Sequence, residues 1–316
     1  MPTTRTAAPS LADRLTGGLY GLLIGDAVGV PYEFHQTASI PAAVDMVPPP
    51  GFSRAHRTVP PGTWSDDGAH ALCLLSSLLE NGRLVPASLG QHLVDWYDHG
   101  HFAVDGIVFD VGNQTSDSIS ALRSGVPAEE AGSAGVHSNG NGSLMRVLPL
   151  ALWHKGTDAE LVADAMLQSR VTHGHERSQV CCALYCLWAR RLLHGREDAW
   201  EDAVATLRGL LPPASATEDA LESHVRPEEI RGGGTGYVVD TLASARMVSR
   251  LPRYRDVVLA AIRLGHDTDT TACVAGGVAG VRDGIDGIPL EWRQALRGTE
   301  LVTPLVAGLL EWHGVA

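Results

Sequence analysis

Two short stretches of this sequence place paired carboxylates beside hydroxyls, directly ahead of an apolar run. Ser65-Asp66-Asp67 leads into "GAHALCLL", and Asp267-Thr268-Asp269-Thr270 leads into "TACVAGGVAGV". Ser, Thr and Asp are ordinary first-turn residues, because their oxygens accept hydrogen bonds from free helix amides and complement the dipole. A cap needs one acceptor, yet each stretch supplies several. Adjacent carboxylates repel, and burying them is costly unless cations compensate. Carboxylate and hydroxyl oxygens are hard ligands that favour Mg²⁺ or Mn²⁺ over zinc. Asp66, Asp67, Asp267 and Asp269 together with Ser65 and Thr270 suit two octahedral ions with positions left open to water or substrate.

A second kind of chemistry is written in "NGNGSLMR". Gly140 and Gly142 allow backbone conformations whose amides converge on an anion, and a helix N-terminus is expected to follow. Arg146 would add charge, and Pro149 is expected to end or kink the short helix there. His173 and His175 stand two apart, but no Cys or third His lies at a zinc-like spacing. The five cysteines are embedded in apolar runs and read as reduced thiols of a cytoplasmic core.

These residues must be positioned by helices. In "DDGAHALCLLSSLLENG", Ala69, Leu72, Leu75, Leu78 and Leu79 recur at helical steps, and Asn81-Gly82 supplies the stop. Similar periodicity runs through "ASLGQHLVDWYDHG", "DAELVADAMLQSR", "ERSQVCCALYCLWARRLLHG", "EDAWEDAVATLRGLL", "GYVVDTLASARMVS" and "RDVVLAAIRLG". Two-residue alternation is scarce. The expectation is an all-α, single-domain fold of roughly a dozen helices: residues 11–316, after a disordered tail at 1–10. Three long loops, at 35–63, 124–142 and 212–236, read as binding edges. Gly21, Gly25 and Gly29 form a stripe on one helix that admits close approach of another, a packing role that leaves Asp26 and Glu33 unexplained. The tryptophans take core positions.

With 44% hydrophobic and 19% charged residues, the chain has the balance of a soluble globular protein. A net charge of -12 argues against nucleic acid as a partner, while leaving room for a small phosphorylated ligand. The N-terminus lacks the apolar core of a signal peptide, and no window of about 18 apolar residues predicts a membrane span.

In order along the chain, "GLLIGDAVGVPYEF", "GTWSDDGA", "GNGSLMRVLPLAL", "VTHGHERS" and "GHDTDTTACVAGGVAG" resemble the ADP-ribosylglycohydrolase family, most nearly its dinitrogenase reductase-activating branch. The resemblance spans roughly residues 14 to 290. It implies an orthogonal all-α fold around a central two-metal cleft holding two divalent cations, Mg²⁺ or Mn²⁺. It also implies hydrolysis that removes ADP-ribose from a modified side chain or a small ADP-ribose conjugate, by a monomer. Ser65, Asp66, Asp67, Asp267, Asp269 and Thr270 fall on the family's metal ligands. Glu33 matches a glutamate beside the metals, and Asp110, in "FDVGN", matches a catalytic aspartate with Asn113 nearby. Gly140, Asn141, Gly142, Ser143 and Met145 fall on the diphosphate cradle, His173 on the nucleotide side, and Tyr237 near the sugar or the modified side chain.

Arginine as the acceptor rests on the resemblance alone. Some arginine-directed members carry an acidic residue shortly before Gly-Asn-Gly, where this chain has Val136-His137-Ser138-Asn139. Serine-linked or acetyl-linked ADP-ribose is therefore an alternative. A two-metal pyrophosphatase or phosphoesterase fits the same residue types, and release of AMP rather than ADP-ribose would distinguish it. A non-catalytic ADP-ribose sensor would have lost metal ligands, whereas all six positions here carry oxygens.

Overall fold

The computed structural model describes residues 8–316; most of the expected disordered tail, residues 1–7, lies outside the described residues. Among the described residues fourteen α-helices follow one another. They are α1 (Leu11–Gly29), α2 (Asp66–Asn81), α3 (Pro86–His99), α4 (Asn113–Arg123), α5 (Leu148–Trp153), α6 (Asp158–Arg170) and α7 (Glu176–Leu193). The second half comprises α8 (Ala199–Leu210), α9 (Ala216–Asp219), α10 (Val238–Val248), α11 (Tyr254–Ile262), α12 (Thr268–Asp283), α13 (Leu290–Ala295) and α14 (Thr299–His313). Among the described residues there is no sheet; isolated bridges at Gln36–Gly265, Ser133–His173 and Gly140–Tyr237 pin loops together.

Local chemistry explains the boundaries. Ser10 closes a capping box with Asp13 at the start of α1. Gly82, at φ 62°, takes the left-handed position that ends α2, as the Asn-Gly pair predicts. The loop expected at 212–236 is in part helical: Ser215 caps α9, and a π-helical turn, Ala220–Val225, follows. Ala220, Leu221 and Val225 are buried, an anchor too short to register as periodicity. The polar α4 buries only Thr115, Ser118 and Ile119, so it too lacks a clear apolar stripe. All five cysteines are free and buried.

α1 and α12 form the centre. From Thr268 to Val281 every residue of α12 is buried, and so is α1 from Gly21 to Gly29. Helices apolar all round belong inside a core. The glycine stripe lets their backbones touch: a Cβ on Gly25 would lie 2.1 Å from the Ala272 carbonyl oxygen, and one on Gly29 2.4 Å from Asp269 Cα. The hydroxyl of Thr268 donates to the Gly29 carbonyl at 2.9 Å, registering the first turn of α12 on the last turn of α1. Glu33 lies just beyond that junction.

Candidate active site

Three elements bring the acidic residues together. Asp26 follows Gly25 on α1, so its side chain is turned about 100° away from the α12 contact. Both its oxygens accept from the Ser65 amide at 3.0 Å, and Oδ2 also accepts from Gly68 N–H at 2.9 Å. The start of α2 is thus capped from another helix, while Ser65 Oγ accepts from Asp67 N–H at 3.3 Å. Asp26 was not assigned a role from the sequence; the signal available was an acid lodged between two packing glycines. Burial pushes its carboxyl up to about 7, against the opposing pull of the Ser65 and Gly68 amides.

With α2 and α12 both registered on α1, their first turns meet. Thr270 Oγ1 donates to Asp67 Oδ1 at 3.3 Å, across 203 positions of sequence. Glu33, Asp267 and Asp269 each offer an oxygen within 4.8 Å of the others. Asn141 Nδ2 donates to Asp267 Oδ2 at 2.7 Å and to Thr241 Oγ1 at 3.0 Å, which fixes the Asp267 carboxylate. Asp67 Oδ2 and Asp269 Oδ2 are buried with no hydrogen-bond partner. Burial, and then the neighbouring carboxylates, push Asp66, Asp67 and Asp269 well above the usual carboxylate range. Glu33 is pushed up to about 11 by burial and by Asp110, Asp267 and Asp67. Orphaned buried oxygens in a like-charged cluster are what a hard divalent cation would satisfy, and the donor set fits one.

The cluster floors a cavity of about 250 Å³. Glu33, Asp66, Asp67, Asp267 and Thr270 line it together with Asp110, Asn113, Gly140, Asn141, Gly142, Met145 and His173. No Lys or Arg is among its lining residues. Four of the residues singled out in the sequence lie outside it. Ser65 acts as the cap of α2, and Asp269 stands behind the floor beside Glu33. Ser143 Oγ accepts from Ser169 Oγ at 2.8 Å and lies 3.5 Å from Cys182 Sγ, so its side chain faces the core. Tyr237 precedes α10, 37% exposed, with its backbone bridged to Gly140. Val111 and Gly112, within "FDVGN", also line the cavity, as do Gln114 and Thr115, which no motif marked. His56, likewise without a sequence signal, stands beside it, its Nε2 2.6 Å from Glu33 Oε2 and 3.9 Å from Asp110 Oδ1.

The glycine loop differs in detail from expectation. Residues 142–146 make turns rather than a regular helix, and α5 begins only at Leu148. Pro149 starts that helix instead of ending it, because its missing N–H falls where no intrahelical acceptor exists. Arg146 is fully buried and does not face the cavity: it donates to Gln168 Oε1 at 3.0 Å, to the Gln168 carbonyl at 2.9 Å and to Thr172 Oγ1 at 2.7 Å. Thr172 Oγ1, accepting from Arg146, is placed to donate its hydroxyl to His173 Nδ1 at 2.7 Å. His173 is thereby held neutral with Nε2–H as a donor, and burial beside Arg146 lowers its pKa to about 3. The imidazole packs under the loop, where a Cβ on Gly142 would sit 2.8 Å from its Cε1. His175 caps α7, its Nδ1 accepting from Arg177 N–H at 3.2 Å.

Several residues around this cleft hold a left-handed backbone without being glycine: Phe34 (φ 63°), His56 (φ 45°), Asp110 (φ 58°) and His266 (φ 62°). Each such conformation costs on the order of 1 kcal/mol or more, and it persists because surrounding bonds enforce it. Phe34 N–H donates to the His266 carbonyl at 2.7 Å, and His266 N–H to the His35 carbonyl at 2.6 Å, locking the segment carrying Glu33 to the one carrying Asp267.

The family model described as ADP-ribosylglycohydrolase matches residues 7–314. The chain is 33% identical to ADP-ribosylarginine hydrolase Tri1 of Pseudomonas putida (strain GB-1), over 97% of this chain and 80% of that one. It is 27% identical to ADP-ribosyl-[dinitrogen reductase] glycohydrolase of Rhodospirillum rubrum, over 91% of this chain and 92% of that one. A solved structure titled ADP-ribosylglycohydrolase-related protein complex superposes with a TM-score of 0.77 at 29% identity, covering 96% of this chain and 98% of its own. With its motifs gathered into one acidic cleft and the match running nearly end to end, the chain belongs to the ADP-ribosylglycohydrolase family of enzymes.

Proposed function

We propose that this protein hydrolyses the N-glycosidic bond joining ADP-ribose to an arginine side chain, using two divalent cations, Mg²⁺ or Mn²⁺. The observation that carries the reading is the meeting of the two acidic helix starts beneath one cavity, with two buried carboxylate oxygens left unpartnered. Arginine as the acceptor draws support from the names of two relatives, the ADP-ribosylarginine hydrolases Tri1 of Pseudomonas putida and of Serratia proteamaculans, at 33% and 32% identity.

Asp66, Asp67, Asp267, Asp269 and Thr270 would hold the cations, with Ser65 fixing the turn that presents the first pair. Bound cations supply the positive charge that polarises the distal ribose hydroxyls and an attacking water. The chain's own residues do the rest. Asn141 holds Asp267 in one orientation. Amides of the Gly140–Gly142 turn and His173 Nε2–H face the diphosphate as donors, and no lysine or arginine is needed there. With the neighbouring carboxylate charge offset by cations, Glu33, held by His56, would be free to take the proton of the water, and Asp110 faces the departing group. In this reading residues 11–316 work as one domain and as a cytoplasmic monomer. Neither nucleic acid nor membrane is a partner; among the described residues no helix is long and apolar enough to span a bilayer.

The test is a substrate panel of arginine-, serine- and acetyl-linked ADP-ribose under Mg²⁺, Mn²⁺ and EDTA. Release of intact ADP-ribose from the arginine conjugate, abolished by EDTA and in Asp67→Ala and Asp269→Ala, is expected. Activity indifferent to chelator, or AMP as the product, would overturn the reading.

A further inference from the structure

The cleft has two chemically distinct ends, joined by the strand of chain from Asp110 to Gln114. At one end Gln114 Nε2 donates to the Thr172 carbonyl at 3.2 Å, beside the Gly140–Gly142 turn and His173. At the other, Glu33, His56 and Asp110 converge, and the rim above them is aromatic. Ring centroids lie 5.6 Å apart for Phe34 and His56, and 5.0 Å for His56 and Phe109.

Phe34 is 71% exposed, more than any other large hydrophobic side chain among the described residues. Its backbone holds a φ of 63°, and its N–H donates to the His266 carbonyl, which fixes where the Cα–Cβ bond starts at the edge of the segment carrying Glu33. An aromatic ring kept in water at strained backbone, near the Glu33 and Asp110 carboxylates, is unfavourable for the free protein and complementary to a flat cation.

We propose that Phe34, with His56 and Phe109 beside it, forms the acceptor subsite, where the guanidinium of the modified arginine stacks on the Phe34 ring and turns N–H donors to Asp110. This rests on the arginine reading above. A guanidinium is planar, always charged and weakly hydrated, and it stacks on aromatic faces while pairing with carboxylates. A serine hydroxyl or an acetyl group gains neither contact. The subsite also supplies the carboxylate that Val136–Asn139 lacks, from the opposite end of the cleft.

The experiment compares wild type with Phe34→Leu and Phe34→Trp on an arginine-linked ADP-ribosyl peptide, with calorimetric binding of free ADP-ribose as the control for an intact nucleotide site. Leucine keeps the apolar bulk and removes the π face. Phe34→Leu should raise KM by roughly three- to thirty-fold, the scale of a cation–π contact, with kcat little changed. Phe34→Trp should keep or lower KM, and ADP-ribose should bind all three alike. A wild-type enzyme that cleaves the arginine conjugate while Phe34→Leu keeps its KM overturns the subsite alone; Phe34→Leu weakened equally for ADP-ribose overturns it too. A wild-type enzyme inert toward that conjugate overturns the function and the subsite together.

Discussion

Replacing Asp26 with asparagine removes one charge from a side chain that touches neither the cavity nor any ligand. Asp26 oxygens accept from the amides of Ser65 and Gly68 at 2.9–3.0 Å, fully buried. Asparagine can place its oxygen where Oδ2 accepts from both amides, but its NH₂ then takes the Oδ1 position and faces the Ser65 N–H, donor against donor, in a buried site. That mismatch costs about 1–3 kcal/mol, and the bonds that survive lose the charge assistance that roughly doubles their strength. A total of about 2–4 kcal/mol follows, or a fall in Tm of roughly 5–12 °C at the sensitivity of domains this large. The functional effect should be disproportionate. Because Asp26 sets where Ser65-Asp66-Asp67 begin, cation affinity measured by calorimetry should drop about 10- to 100-fold, the scale seen when a residue that orients metal ligands is lost. Asp13→Ala is the control. It breaks the exposed capping box of α1 at about 1 kcal/mol and should leave cation affinity unchanged. Wild-type cation affinity in Asp26→Asn would refute the claim that α1 positions the site.

Three further outcomes follow from the same geometry. Asp67→Asn and Asp269→Asn should each raise the metal-free Tm near neutral pH, by relieving buried like-charge repulsion, while lowering hydrolysis by about a hundredfold or more; melts in EDTA and turnover assays check the two effects separately. Asp66, Asp67 and Asp269 have folded-state pKa values raised above the unfolded range, so their burial favours the folded state below about pH 4 and that contribution is lost as pH rises through the raised values. Urea unfolding of the metal-free protein should therefore show the gap between wild type and the Asp67→Asn, Asp269→Asn double variant widening from pH 4 to pH 8, and saturating Mg²⁺ should close it; a gap independent of pH contradicts the electrostatic account. Gly25→Ala would drive a methyl to 2.1 Å from the Ala272 carbonyl and should cost about 3 kcal/mol or more together with cation affinity, whereas Gly82→Ala, strained but in open space, should cost about 1 kcal/mol and leave the cations bound.

Much of the site is legible in sequence because its chemistry is local. Two carboxylates and a hydroxyl ahead of an apolar helix are over-supplied for capping whatever the rest of the chain does, and the same holds for glycines arranged to expose amides. Helical periodicity likewise marks α2, α3, α6, α7, α8, α10 and α11, each with a stripe long enough to detect. The polar α4 and the brief α9 escaped because few of their residues enter the core, and Pro149 was misplaced because a proline opening a helix and one closing it look alike without the flanking backbone.

The sequence by itself determined which oxygens were available, the all-α class and the packing glycines of α1. Tertiary structure alone decided that Asp26 caps α2, that His56 holds Glu33, that Arg146 braces Thr172 and His173 from behind, and that Phe34 stands exposed beside His56. These roles join residues tens to hundreds of positions apart, and a side chain's partner across such a distance is set by how helices cross. That crossing depends on backbone contact at Gly25 and Gly29, whose consequences for a carboxylate one residue along no spacing rule contains.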